Sequence, residues 1–134
     1  MRNATAEGIT PFTQARLDAL VAEGKPVFVN MTAAWCITCQ VNERVALRAE
    51  AVQAGLKARG ITYLKGDWTN QNPEITRLLE RHGRSGVPLY LLYAGPGEPA
   101  VLPQILTPGL VLEALQAVPL AAADRSAALT DGRP

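Results

Sequence analysis

The segment Val27-Phe28-Val29-Asn30-Met31-Thr32-Ala33-Ala34-Trp35-Cys36-Ile37-Thr38-Cys39 opens as an apolar run of strand length after Pro26 and closes on two cysteines. The pair therefore falls where a strand ends and a helix begins. At that place unpaired backbone N–H groups and the positive end of the helix dipole stabilise a thiolate at the first cysteine. Cys36 is expected to be the exposed nucleophile. Cys39, one turn further in, is expected to attack a disulfide only after it has formed at Cys36. Two thiols at this spacing can close a ring without moving the backbone. Other uses of the pair fit poorly. Two cysteines are too few for a disulfide scaffold, and so short a loop restrains the unfolded chain very little. A zinc site needs about four ligands, and His82 is the only other good candidate.

Outward from this junction the chain alternates helix and strand signals. Thr10-Pro11, Asn72-Pro73 and Thr107-Pro108 each pair a capping side chain with a proline at the first helical position. They predict helices carrying Leu17, Leu20 and Val21, then Ile75, Leu78 and Leu79, then Val111 and Leu115 on their apolar faces. A fourth helix is predicted from about Cys36 toward Gly60, kinked or broken near Arg48 to Glu50. Strands are predicted at Val27–Val29, Ile61–Lys65 and Leu89–Tyr93, with a weaker one over Val101–Leu106. The helix between the first two implies a right-handed parallel crossover, and the short turn between the last two implies an antiparallel hairpin. The expected fold is α/β, a mixed sheet of about four strands with helices on both faces. Residues 10–117 form the domain in this reading, 1–9 an N-terminal extension and 118–134 a frayed tail without periodicity.

Composition narrows the function. In 134 residues, 48% are hydrophobic and only 19% charged, which excludes a disordered chain. A net charge of +1 offers no basic face for nucleic acid. The longest apolar stretch, Val87 to Ala94, is too short to cross a bilayer, so no direct membrane insertion is expected. Met1-Arg2-Asn3 is polar with no apolar segment behind it, and no secretory signal is visible.

The chain resembles the thioredoxin family in Phe28 to Cys39, the Asn72-Pro73 helix start and Ser85-Gly86-Val87-Pro88 before the third strand. The resemblance implies that Pro88 is cis and faces the cysteine pair, and that the backbone before it pairs with a bound substrate strand. Val87 and Pro88 then form a substrate platform, with Trp35 flanking the nucleophile as an apolar docking surface or packing the strand end. Within that family, Ala34 to Glu43 and Lys65-Gly66-Asp67-Trp68-Thr69-Asn70 are similar to the C-terminal domain of DsbD and ScsB-type thiol:disulfide interchange proteins. This likeness implies an excised periplasmic domain that takes electrons from a membrane-embedded domain and passes them to a protein partner, with no cofactor beyond the Cys36–Cys39 disulfide.

The family usually has a buried Asp six residues before the first cysteine, to move the proton of the second thiol. Asn30 stands there instead and cannot titrate. Glu43, four residues after Cys39 and on the same helix face, is the expected substitute; a solvated helix glutamate is the alternative. Ile37 and Thr38 carry no charge, so the Cys36 thiolate is only moderately stabilised, which favours a domain that gives electrons away. Trp68 and Asn70 are candidates for the same rim, His82 for a helix end, and Tyr63, Tyr90 and Tyr93 for the sheet. Gln104-Ile105-Leu106 replaces the glycine that the family often carries before its last helix. Two further readings stand beside the reductase: a free thioredoxin-like or cytochrome c maturation reductant, and a copper-binding module associated with copper tolerance that clips a metal ion with the dithiolate.

Overall fold

The apolar run before the cysteines is the central strand. In the computed structural model, which describes residues 8–120, it extends as β2 over Val27–Thr32 with all six residues buried. It pairs on both edges, in parallel with β3 (Thr62–Asp67) and antiparallel with β4 (Leu89–Tyr93). β4 continues antiparallel to β5 (Ala100–Val101), as the hairpin expectation required. The weak run toward Leu106 is otherwise not strand, because Pro103 cannot donate to a ladder.

A fifth strand was not expected. Ile9–Pro11 forms β1 and lies parallel to β3, giving the order β1-β3-β2-β4-β5. Thr10-Pro11 is thus part of an edge strand, where a residue without an N–H is tolerated, and Phe12 N–H continues the pairing to Lys65 O at 2.9 Å. The cap of the first helix moves to Thr13, whose hydroxyl accepts from Arg16 N–H, and α1 runs over Gln14–Ala22. Phe12, just before the cap, shares a buried cluster with Leu17, four residues past it, which fixes the angle at which the chain enters the helix.

The long helix after the cysteines divides as the apolar pattern indicated. α2 spans Ile37–Asn42, a single π turn covers Glu43–Leu47, and α3 restarts at Glu50 and runs to Ala58. α4 (Pro73–Arg81) is capped by Asn72, with His82 at its C-terminal end, and α5 (Pro108–Leu115) by Thr107. Two cores result from the alternation along β2. Val27, Val29 and Met31 pack with Leu17, Leu78 and Leu79 under α1 and α4. Phe28 packs with Leu47, Leu56 and Leu115 under the π turn, α3 and α5. Gly66 in β3 is fixed by this packing, since a Cβ there would run into Met31 Sδ. The expected extension and tail lie largely outside the described residues.

One buried amide ties the cysteine helix to the far end of the sheet. Asn42 donates to Tyr90 Oη at 2.9 Å and to Gln104 O at 2.7 Å, and its Oδ1 accepts from Leu106 N–H at 3.0 Å. Leu106 is thereby held in the core while Ile105 points outward, 66% exposed. Removing this amide leaves three polar groups short of a partner. Asn42→Leu, of similar volume, is expected to cost about 3 kcal/mol and lower the melting temperature by about 10 °C. Tyr90→Phe, which forfeits one of the bonds, should cost about 1 kcal/mol. Calorimetry on both variants checks the ratio.

Candidate active site

The two cysteines are joined as a disulfide, with Cα atoms 5.2 Å apart, at the end of β2. Cys36 keeps an extended backbone, φ −92° and ψ 104°, and caps α2, its Sγ accepting from Cys39 N–H at 3.1 Å. Its own N–H donates to Ala33 O at 3.1 Å, so the turn out of the strand is held before the helix starts. Cys36, expected to be the exposed thiol, is itself buried, with only a narrow margin of access over Cys39. Cys36 is 8% exposed and Cys39 0%, because Ala33 and Val87 pack against the pair. Ile37 is exposed and Thr38 half-buried, so the intervening dipeptide presents no charge to the pair.

Val87 packs against this cluster, and the Val87–Pro88 peptide is cis. Pro88 is buried, and its carbonyl accepts from the Arg84 guanidinium at 3.2 Å. Trp35 is 53% exposed and lies against the buried Trp68, ring centroids 5.9 Å apart. Trp68 is therefore a rim residue as well as a core one; Asn70 is exposed.

The structure brings Asn30 and Glu43 together. Asn30 is fully buried and donates through Nδ2 to Tyr63 Oη at 3.0 Å and to Glu43 Oε2 at 3.5 Å. Its Oδ1 and the Thr32 hydroxyl have no partner among the described residues. Glu43 is only 6% exposed, which removes the solvated alternative, and Oε1 accepts from Lys65 Nζ at 3.3 Å. Burial pushes both tyrosine hydroxyls up, Tyr90 to about 12, so they act as neutral donors and acceptors at any ordinary pH. A cavity of about 420 Å³ opens beside this carboxylate, walled by Thr32, Gln40, Glu43, Lys65 and Asp67. It reaches Glu43 from solvent without passing the cysteines.

Lys65 was not singled out in the sequence, although a signal existed. With period two along β3 it shares a face with Tyr63, and its register partner is Asn30. Asn42 and Thr69 were also passed over, lying inside quoted motifs without a role. Among the described residues no three His, Cys, Asp or Glu side chains gather as a metal site.

Comparison with known proteins adds the following. A family model described as Thioredoxin-like matches residues 9–95. Thiol:disulfide interchange protein DsbD 1 of Pseudomonas aeruginosa is 42% identical over 90 residues, 64% of this chain and 15% of that protein. The Klebsiella pneumoniae DsbD is 31% identical over 86 residues, 63% of this chain and 14% of that one. The chain thus spans about one seventh of the length of these curated relatives. Among solved structures, the oxidised C-terminal domain of Neisseria meningitidis DsbD matches with a TM-score of 0.59 and 25% identity, covering 75% of this chain and 87% of that one. A Thermus thermophilus thioredoxin reaches a TM-score of 0.64 at 19% identity, over 93% and 95% of the two chains, and speaks for the fold alone. The order of the central strands, the disulfide at the β2–α2 junction, the cis Val87–Pro88 peptide whose Val87 packs against it and the matched segment agree on one conclusion: the chain belongs to the thioredoxin-like family.

Proposed function

We propose that this chain is a protein-disulfide reductase domain that passes electron pairs through Cys36 and Cys39, from a membrane-embedded domain to a periplasmic protein partner. The observation that carries the reading is the disulfide at a helix start, with Cys36 8% exposed and Cys39 fully buried one turn further in. Its relatives' name, thiol:disulfide interchange protein, supports the same chemistry, as does the matched C-terminal domain of DsbD. Because the chain covers so little of those proteins, the upstream donor, the periplasmic location and the partner all belong to the proposal. The exchanging unit is taken as residues 10–117. Among the described residues no helix is long and apolar enough to cross a membrane.

In the reduced domain the Cys36 thiolate, stabilised by the Cys39 N–H, attacks one sulfur of a partner disulfide. A mixed disulfide forms and the partner's other sulfur leaves as a thiolate. Cys39 then attacks Cys36 Sγ, closing the internal disulfide and releasing the second partner sulfur. Two electrons pass to the partner, whose two thiolates take up two protons from water, in place of the one Cys36 lost on ionising and the one Cys39 gives up. Cys39 must lose its proton inside the core, and Glu43 is the base assigned to take it, with the cavity as the route to water. Asn30 orients that carboxylate without titrating, and Lys65 balances its charge. Val87 and Pro88 form the platform on which an extended partner segment lies, with Trp35 at its edge.

In the reduced protein, Cys36 alone is expected to react in a brief exposure to a bulky alkylating agent, read by mass spectrometry. Cys39→Ala should trap a mixed disulfide and Cys36→Ala none; preferential labelling of Cys39 reverses the roles. With no charge at Ile37 and Thr38, the midpoint potential is expected nearer the thioredoxin value of about −270 mV than the −120 mV or so of strong oxidants of this fold. A value at the oxidising end overturns the reductase direction.

Glu43→Gln keeps the shape and one hydrogen bond but removes the proton acceptor. Exchange is expected to slow about tenfold and to change its pH dependence, at a stability cost of about 1 kcal/mol from the lost ion pair. Stopped-flow exchange at the wild-type rate across neutral pH removes Glu43 from the mechanism.

A further inference from the structure

We infer that Thr69, held by Asp67, is a positioning residue that clamps Ala34 and Trp35 so that the Trp35 ring stands as a docking wall for polypeptide disulfides. The inference rests on the exchange reading above and names what would give it a preference for protein over small thiols.

The β2–β3 ladder ends at Thr32 and Asp67, with Trp68 N–H donating to Thr32 O at 2.7 Å. Beyond that point one residue takes over from the ladder, through its hydroxyl and its carbonyl. Ala34 N–H donates to Thr69 Oγ1 at 2.8 Å, and Trp35 Nε1 donates to Thr69 O at 3.0 Å. A single residue thus satisfies two consecutive donors in the segment that delivers Cys36. A hydroxyl has one proton to give. That proton goes to Asp67 Oδ1 at 2.5 Å, which leaves a lone pair aimed at Ala34. The same carboxylate oxygen accepts from Thr69 N–H at 2.9 Å, fixing the residue at both ends. These bonds hold the Asp67 carboxyl below the usual carboxylate range, so the clamp is intact across neutral pH.

The other face of the Trp35 ring is fixed as well. Trp68 behind it is anchored by its own Nε1 to Thr76 Oγ1 at 2.8 Å on α4. A Cβ added at Gly86 would lie 3.6 Å from Trp68 Cζ3, so this ring also abuts the segment that leads to Val87 and Pro88. The turn between Trp68 and the α4 cap closes with Gln71 N–H on Trp68 O at 2.9 Å, and Gln71 takes φ +55°, a region that non-glycine residues seldom occupy. An aromatic ring more than half exposed yet fixed on one edge and one face can gain contact area on binding while losing little freedom. A tripeptide thiol touches the sulfur and little else; a polypeptide must also pass the ring.

The test uses the full chain with two probes, oxidised glutathione and insulin, and the variants Thr69→Val, Thr69→Ser and Trp35→Ala. Thr69→Val is expected to raise KM for insulin reduction about three- to tenfold with kcat within about twofold, the scale of one lost hydrogen bond. Exchange with glutathione should stay within about twofold, and Thr69→Ser should restore the insulin KM. The double variant with Trp35→Ala should be no worse than Trp35→Ala alone, since both act through the same ring. An unchanged insulin KM, a parallel fall with glutathione, or no rescue by serine overturns the inference. Should Thr69→Val not fold, Asp67→Ala frees the same hydroxyl and is expected to shift KM in the same direction. A wild-type chain that does not exchange with glutathione overturns the exchange reading instead. The clamp is then decided by hydrogen exchange at Ala34 N–H: protection lost about tenfold in Thr69→Val and kept in Thr69→Ser supports it, and equal protection in both overturns it.

Discussion

Six consecutive residues, Val27 to Thr32, are buried between strands on both edges and helices on both faces, and most of the molecule follows from covering them. The apolar residues of that strand divide by alternation into two cores, one under α1 and α4, the other under α3 and α5. The strand also has to accommodate an amide. Asn30 sits at its centre among apolar side chains, and a buried polar group without partners is costly. Tyr63 and Glu43 are the groups that answer it, which draws a carboxylate from the cysteine helix into the interior. The charge so introduced brings in Lys65 from the neighbouring strand. A polar residue in the middle strand, a buried acid after the cysteine helix and an ammonium lining the same cavity therefore form one linked arrangement.

That arrangement separates two tasks that a thiol site has to perform. In the proposed mechanism partners meet the sulfur of Cys36 on the side of Val87, Pro88 and Trp35. The carboxylate has its own opening to solvent on the side of Gln40, Lys65 and Asp67. In the proposed mechanism a bound polypeptide can cover the first without closing the second, so proton movement need not wait for the partner to leave.

Much of this was legible in the chain before any coordinates. The CxxC at the strand end, the caps at Asn72 and Thr107, and the apolar periods of α4 and α5 are local signals, and local signals read well. The helix break near Arg48 was legible for the same reason. What escaped was non-local. Thr10-Pro11 has the chemistry of a helix start, yet pairing with β3 took those residues into a strand and left the cap to Thr13. The partnership of Glu43 with Lys65 spans 22 residues, and the bonds from Asn42 to the loop before α5 span more than 60. No periodicity records such contacts, because they depend on which strands become neighbours. The narrow margin of exposure between the two cysteines is of this kind too, since Val87 supplies part of the cover.

The sheet ends in a three-residue strand that contains Pro11 on one side and in a two-residue strand on the other. Short edges, one of them interrupted by an imino acid, give another chain little ladder along which to add itself. A domain that exchanges with an extended partner segment, as proposed, is exposed to the hazard of templating it into an added strand. Here the described sheet offers such a segment almost no backbone to copy, and the proposed platform is confined to the short stretch at Val87 and Pro88.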